Sequence, residues 1–183
     1  MLNYQAAILG RIDTLVLTRF FSLALPAIFL PFFIHNQLIT GPIINALLIL
    51  ILLLVGLRAA LSVALLPSLV ALSSGLLPAV LAPAVPFIMI SNVILILTID
   101  YFLRLEFFKD AKQPAYFWGV FWGALLKFAF LYSSVILIAR LLSNQSFVEV
   151  VAKMMGAAQL ATALAGGFLA FLVLRSVKYF SRL

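Results

Sequence analysis

Four polar side chains stand out from a chain that is otherwise almost all hydrocarbon: Asn45, Asn92, Lys127 and Gln159. A side-chain amide donates and accepts hydrogen bonds at once, and an ammonium adds three donors and a positive charge. That is equipment for holding a small polar or anionic molecule, not for breaking a bond. Each residue lies in or beside an apolar run of membrane-crossing character. Polar groups at membrane depth are costly, so these face a cavity or another helix rather than lipid. Function is to be sought among them.

The elements that must position them follow from composition. Hydrophobic residues make up 66% of the 183, charged residues 9%, and mean hydropathy is +1.27. A soluble core cannot absorb that much apolar surface, whereas a bilayer requires it. The chain reads as an all-α integral membrane protein, one six-helix bundle over 1–183 with no soluble domain beside it. It has no cysteine, which excludes disulfides, thiolate metal sites and cysteine nucleophiles. The single histidine, His35, argues against a transition-metal site. A charge of +7 would suit nucleic acid, but the basic residues gather at helix ends. That is a topology signal instead, so no nucleic-acid partner is expected. The Leu15–Ile34 run is too long for the core of a cleavable signal.

Spans are predicted at about 15–34, 43–55, 59–72, 87–103, 115–138 and 154–174. Pro26 and Pro31 interrupt the first, and His35-Asn36-Gln37 with Thr40-Gly41-Pro42 make a polar turn after it. The apolar stretch 43–72 exceeds the ~20 residues of one crossing and carries Gly56-Leu57-Arg58 at its middle. A tight hairpin there is the preferred reading. One tilted helix would put Arg58 at the bilayer centre, at a cost of about 2.5–3.5 kcal/mol. Three prolines make 73–86 an apolar but irregular loop, lying against the bundle mouth as a lid or re-entrant segment.

With six spans, Arg11, Arg19, Arg58, Arg104, Lys109, Lys112, Arg175, Lys178 and Arg182 share one side with both termini. Only Arg140 and Lys153 fall on the other, so both termini are expected in the cytoplasm. The cell membrane of a prokaryote is the expected location. At about 1.5 Å per residue, Asn45, Asn92, Lys127 and Gln159 then reach the outer half of the bilayer from four helices.

Helix faces say where they point. Gly119, Gly123 and Lys127 share one face, as do Gln159, Ala163, Gly166 and Ala170. Small residues mark close helix contact, so both polar residues sit on packing faces. The amides could serve only as interhelical glue. Lys127 resists that reading, because no carboxylate in its half is available to pair with it; its alternatives are snorkelling, deprotonation or an anionic ligand. His35 and Tyr132 are further pocket candidates near the outer mouth. Asp100 can pair with Arg104 one turn on. Trp118, Trp122 and Tyr116 fit an inner aromatic belt. There is no Walker A loop, no His-Glu-x-x-His and no serine triad, so no enzyme is expected and the chain cannot hydrolyse ATP itself.

Three stretches carry a family resemblance. Gly41-Pro42-Ile43-Ile44-Asn45-Ala46-Leu47-Leu48, followed by Gly56, resembles the second span of substrate-binding S components of energy-coupling-factor (ECF) transporters. Pro83 to Asn92 is similar to the loop and fourth-span start of that family, with Ser91 where many members have glycine. Gln159 to Gly167 is similar to its sixth-span pattern. The resemblance implies a subunit that captures a vitamin-like or other small nutrient from outside. ATP would be used by two partner ATPases, working with a membrane-embedded T component, and this chain would bind no cofactor. Asn45, Asn92, Lys127 and Gln159 would contact substrate, Lys127 pairing with a carboxylate or phosphate. The family's Ala-x-x-x-Ala coupling patch is missing from the first span here, while Ala60 and Ala64 supply one in the third.

Two rivals come from other classes. One is a non-transporting scaffold like the small basic rod-shape membrane proteins. The other is a standalone channel or carrier, although no internal inverted repeat is visible.

Overall fold

Within hydrocarbon every backbone N–H and C=O must be satisfied inside its own segment, so an apolar chain of this length has helices as its solution. A computed structural model describes residues 14–109, 111–141, 152 and 155–181, and all regular structure among them is helical. The long helices are α1 (Thr14–Phe33), α2 (Gln37–Leu54), α5 (Val85–Arg104), α6 (Lys112–Leu141) and α7 (Ala157–Ser176). Two short ones, α3 (Leu57–Ala64) and α4 (Leu66–Ser73), lie between α2 and α5. Five helices are long and apolar enough to cross a membrane. Their outer faces carry Phe21, Phe29, Leu97, Phe121, Leu126 and Leu172, each 44–49% exposed. So much exposed apolar surface is the mark of a lipid-facing bundle. The protein is membrane-embedded.

The break expected near Arg58 is present. Gly56 has φ +128, a conformation that L side chains rarely adopt, and it separates α2 from α3. The run 43–72 is therefore not one tilted helix. Its second half is not one rod either, as expected for 59–72, but two eight-residue helices parted at Leu65. Pro67 is the cause: it lacks the N–H that would bond Val63, and its ring crowds that carbonyl.

Two further expectations are corrected. Thr40-Gly41-Pro42 is no turn but lies inside α2, because Asn36 caps that helix earlier by accepting from Leu38 N–H at 3.0 Å. The 73–86 segment is only partly irregular. It turns through Gly75 (φ +80), then winds into a 3₁₀ turn at Ala79–Ala84 that runs straight into α5. Pro86 falls in the first turn of α5, where a missing N–H costs nothing. Arg11, Lys153, Met154 and Arg182 lie outside the described residues, as do the Arg140 side chain and most of the polar connection expected from 140 to 153.

Small residues set the helix spacing. A Cβ on Gly119 would fall 3.0 Å from Ile99 Cα, and one on Gly123 3.0 Å from Leu95 Cδ1, so α6 lies tight on α5. Ala163, Gly166 and Ala170 are buried together on the face α7 turns to its neighbours. Ala60 and Ala64 are fully buried as well, so they pack inward and offer no outward patch. Tyr116 also departs from expectation. It is not an interfacial belt residue but a buried one, donating Oη–H to Gly167 O at 2.6 Å and so tying α6 to α7. Trp118 and Trp122 do remain on the outer face.

The core has two parts. The larger runs through α1, α2, α3, α5, α6 and α7. A smaller cluster of Ala71, Leu77, Leu81, Ala84, Ile88, Leu131 and Met155 seats the 76–84 segment on one end of the bundle. The polar residues lie between the two.

Candidate functional site

Asn45 lies eight residues into α2 and Asn92 seven into α5, roughly 10–12 Å from the starts of those helices. Lys127 comes from the middle of α6 and Gln159 from the first turn of α7. All four are buried, Lys127 at 2% exposure and Gln159 at 8%. Three of them meet directly. The Lys127 ammonium donates to Asn45 Oδ1 at 2.8 Å and to Asn92 Oδ1 at 2.7 Å. Both distances lie at the short end of the N–H···O range.

The orientation of Asn92 is fixed from its other side. Its Nδ2 donates to Ala64 O at 3.1 Å, which leaves Oδ1 to face the lysine. Ala64 is the last residue of α3, so its carbonyl lies at a helix end and can accept across the bundle.

The acids described, Asp100 and Glu106, are not available to Lys127. Asp100 accepts from Arg104 Nε at 2.7 Å, an i,i+4 surface pair of the expected kind, and Glu106 is exposed. Lys127 is therefore solvated by two amide oxygens, with no anion beside it among the described residues. Its third N–H has no acceptor among them.

The cluster forms one wall of a cavity of about 70 Å³. Asn45, Asn92, Lys127 and Gln159 all line it. Ile44, Ala71, Leu76, Leu77 and Ile88 form its apolar side. Leu76 and Leu77 belong to the segment expected as a lid, and that segment does cover this end of the bundle. At about 30 Å³ per water the space takes roughly two waters, or the head group of a solute but not a whole vitamin.

Two expected contacts are not made. His35 is exposed and its Nε2–H donates to Ser74 O at 2.9 Å, tying the α1–α2 turn to the end of α4. Tyr132 is 55% exposed and packs its ring on Phe128. Neither lines the cavity. In their place the structure brings in Gln37, Thr40 and Ser68. The first two were read as a turn outside the membrane. Ser68 was hidden because a lone serine in an apolar span is ordinary; the signal was its neighbour, Pro67, which marks disturbed backbone.

No group of three or more metal-ligating side chains occurs among the described residues. The arrangement can bind a small polar or anionic group by hydrogen bonds and one positive charge. Comparison with known protein families, with curated proteins and with solved structures gives no match.

Proposed function

We propose that the chain is the solute-binding membrane subunit of an importer of the ECF type, an S component that captures a small nutrient beneath the 73–86 segment. A T component and two ATPases would supply the energy, the chain itself being neither an enzyme nor a cofactor carrier. The observation that carries the reading is Lys127: a buried amine on a cavity wall, held by two amides and with no described carboxylate beside it. Burying a charge is expensive unless it is paired. A scaffold has no need of that cost; a binding site recovers it when an anion arrives.

In this reading the broken α3–α4 pair makes the sixth crossing. Its 17 residues extend about 25 Å, short of the ~30 Å hydrocarbon core. The crowding of basic residues on the side opposite the cavity supports cytoplasmic termini and a cavity facing outward in a prokaryotic cell membrane.

Two measurements test it. The first is recovery of a T component and two ATPases with the tagged chain from cells expressing all four. The second is thermal stabilisation of the purified chain by a panel of anionic, zwitterionic, neutral and cationic solutes. Recovery together with stabilisation by any solute, lost in Lys127→Met, is the expected result. A folded chain that recovers no partner, where an established S component does, and responds to no solute would end the proposal.

The scaffold reading keeps one observation in its favour. The Lys127–Asn45–Asn92 network also ties α2, α5 and α6 together, as interhelical glue would.

A further inference from the structure

Building on the solute-binding reading, we infer that the cavity selects the carboxylate of a small monoanion with an apolar remainder, and that Ser68 is a specificity residue for it. The first ground is charge balance. Lys127 is the one charged side chain among the described residues that line the cavity. A single negative charge neutralises it. A phosphate or dicarboxylate dianion would leave a net negative charge in a medium that solvates it poorly. A zwitterion would bring an ammonium to a wall with no carboxylate among its described residues.

The second ground is Ser68. It is 5% exposed, lines the cavity, and its hydroxyl makes no hydrogen bond to any described residue. Serine in a helix commonly bonds the carbonyl four residues back. Here that carbonyl, Ala64 O, is taken by Asn92 Nδ2. Lining the cavity and making no bond of its own to a described residue, the hydroxyl is placed to meet something there. With the third Lys127 N–H it gives two donors on two elements, the number a carboxylate's two oxygens require.

The third ground is shape. The cavity of about 70 Å³ admits a carboxylate with a carbon or two, by the ~30 Å³ share of a water. Across from Lys127 the lining is apolar, formed by Ala71, Leu76, Leu77 and Ile88. A hydroxylated or charged tail would lose its water there without replacement. An aliphatic or aromatic one would not.

The test is thermal-shift and calorimetric binding on the full chain in lipid nanodiscs at fixed ionic strength. The probes are acetate, butyrate and benzoate, set against butyramide, succinate, inorganic phosphate and alanine. Butyrate and benzoate are expected to stabilise and bind more tightly than acetate, with the other four inert. Ser68→Ala is expected to weaken butyrate about 2- to 10-fold, the loss of one hydrogen bond, with the melting temperature of the free protein within a degree or two of the parent. Lys127→Met should abolish binding. If Lys127→Met fails to fold, Ser68→Ala and the butyrate–butyramide comparison still decide the matter. Preference for phosphate, succinate, alanine or butyramide, or butyrate binding indifferent to Ser68→Ala, would overturn this inference and leave the solute-binding reading standing. Silence toward these probes while another solute stabilises the chain would do the same. Silence toward every solute would remove both.

Discussion

Gly166 on α7 lies directly against Asn45 on α2: a Cβ there would come within 2.6 Å of Asn45 Cβ and 2.8 Å of Pro42 O. The missing side chain lets α2 approach closely enough for Asn45 to reach Lys127. Packing and site are therefore one feature. Gly166→Val should push the helices apart, cost about 1–3 kcal/mol and weaken ligand binding in the same variant. Gly75→Ala, at a position with no atom within 4 Å but with φ +80, should destabilise by about 1 kcal/mol without touching the Lys127 network. A thermal melt and a binding isotherm on both variants separate the two effects.

The three-residue network makes a second prediction. Asn92→Leu strands both the Lys127 ammonium and the Ala64 carbonyl, and should cost about 1–3 kcal/mol. Lys127→Met removes the charge that needs solvating and should cost less. In the double variant the two losses should not add, because the lysine no longer needs its amide. Additive losses in a double-mutant cycle would show that the residues do not act as a unit.

Tyr116 gives a purely structural control. Its hydroxyl bonds Gly167 O at 2.6 Å, far from the cavity lining. Tyr116→Phe should lower stability by about 0.5–1.5 kcal/mol and leave solute affinity unchanged.

The His35–Ser74 bond ties the α1–α2 turn to the start of the covering segment. His35→Ala should speed amide exchange through residues 74–84 by about an order of magnitude, roughly the loss of one hydrogen bond. Overall stability should fall by less than about 1 kcal/mol, since the bond is exposed. Unchanged exchange would mean that Leu77, Leu81 and Ala84 alone hold the segment down.

Asp100→Asn tests the other end of the bundle. An exposed i,i+4 pair with Arg104 contributes about 0–1 kcal/mol, so stability and solute binding should both hardly change. A large loss of either would show that Asp100 does more than pair with Arg104.

Much of this was legible in the chain. Hydropathy fixes the membrane class, since helix is the structure an apolar run adopts in lipid. The small-residue spacing around Lys127 and Gln159 turned both residues inward, and that held because close packing excludes lipid from such faces. Gly56 announced its break through a backbone conformation few other residues tolerate.

Other features needed the third dimension. Tyr116 looks like a belt residue by type and depth, yet the Gly167 carbonyl across the bundle draws it inside. His35 and Tyr132 stand at suitable depths and point elsewhere, because depth along a helix says nothing of azimuth. Ser68 enters the site through the packing of the short helix α4 against its neighbours, which its local sequence does not show. The sequence by itself determined that Asn45, Asn92, Lys127 and Gln159 would be buried, because each local run decides its own solvent. Tertiary structure alone decided which of them meet. Partners 28, 35 and 82 residues apart along the chain are chosen by helix packing, which no local pattern encodes.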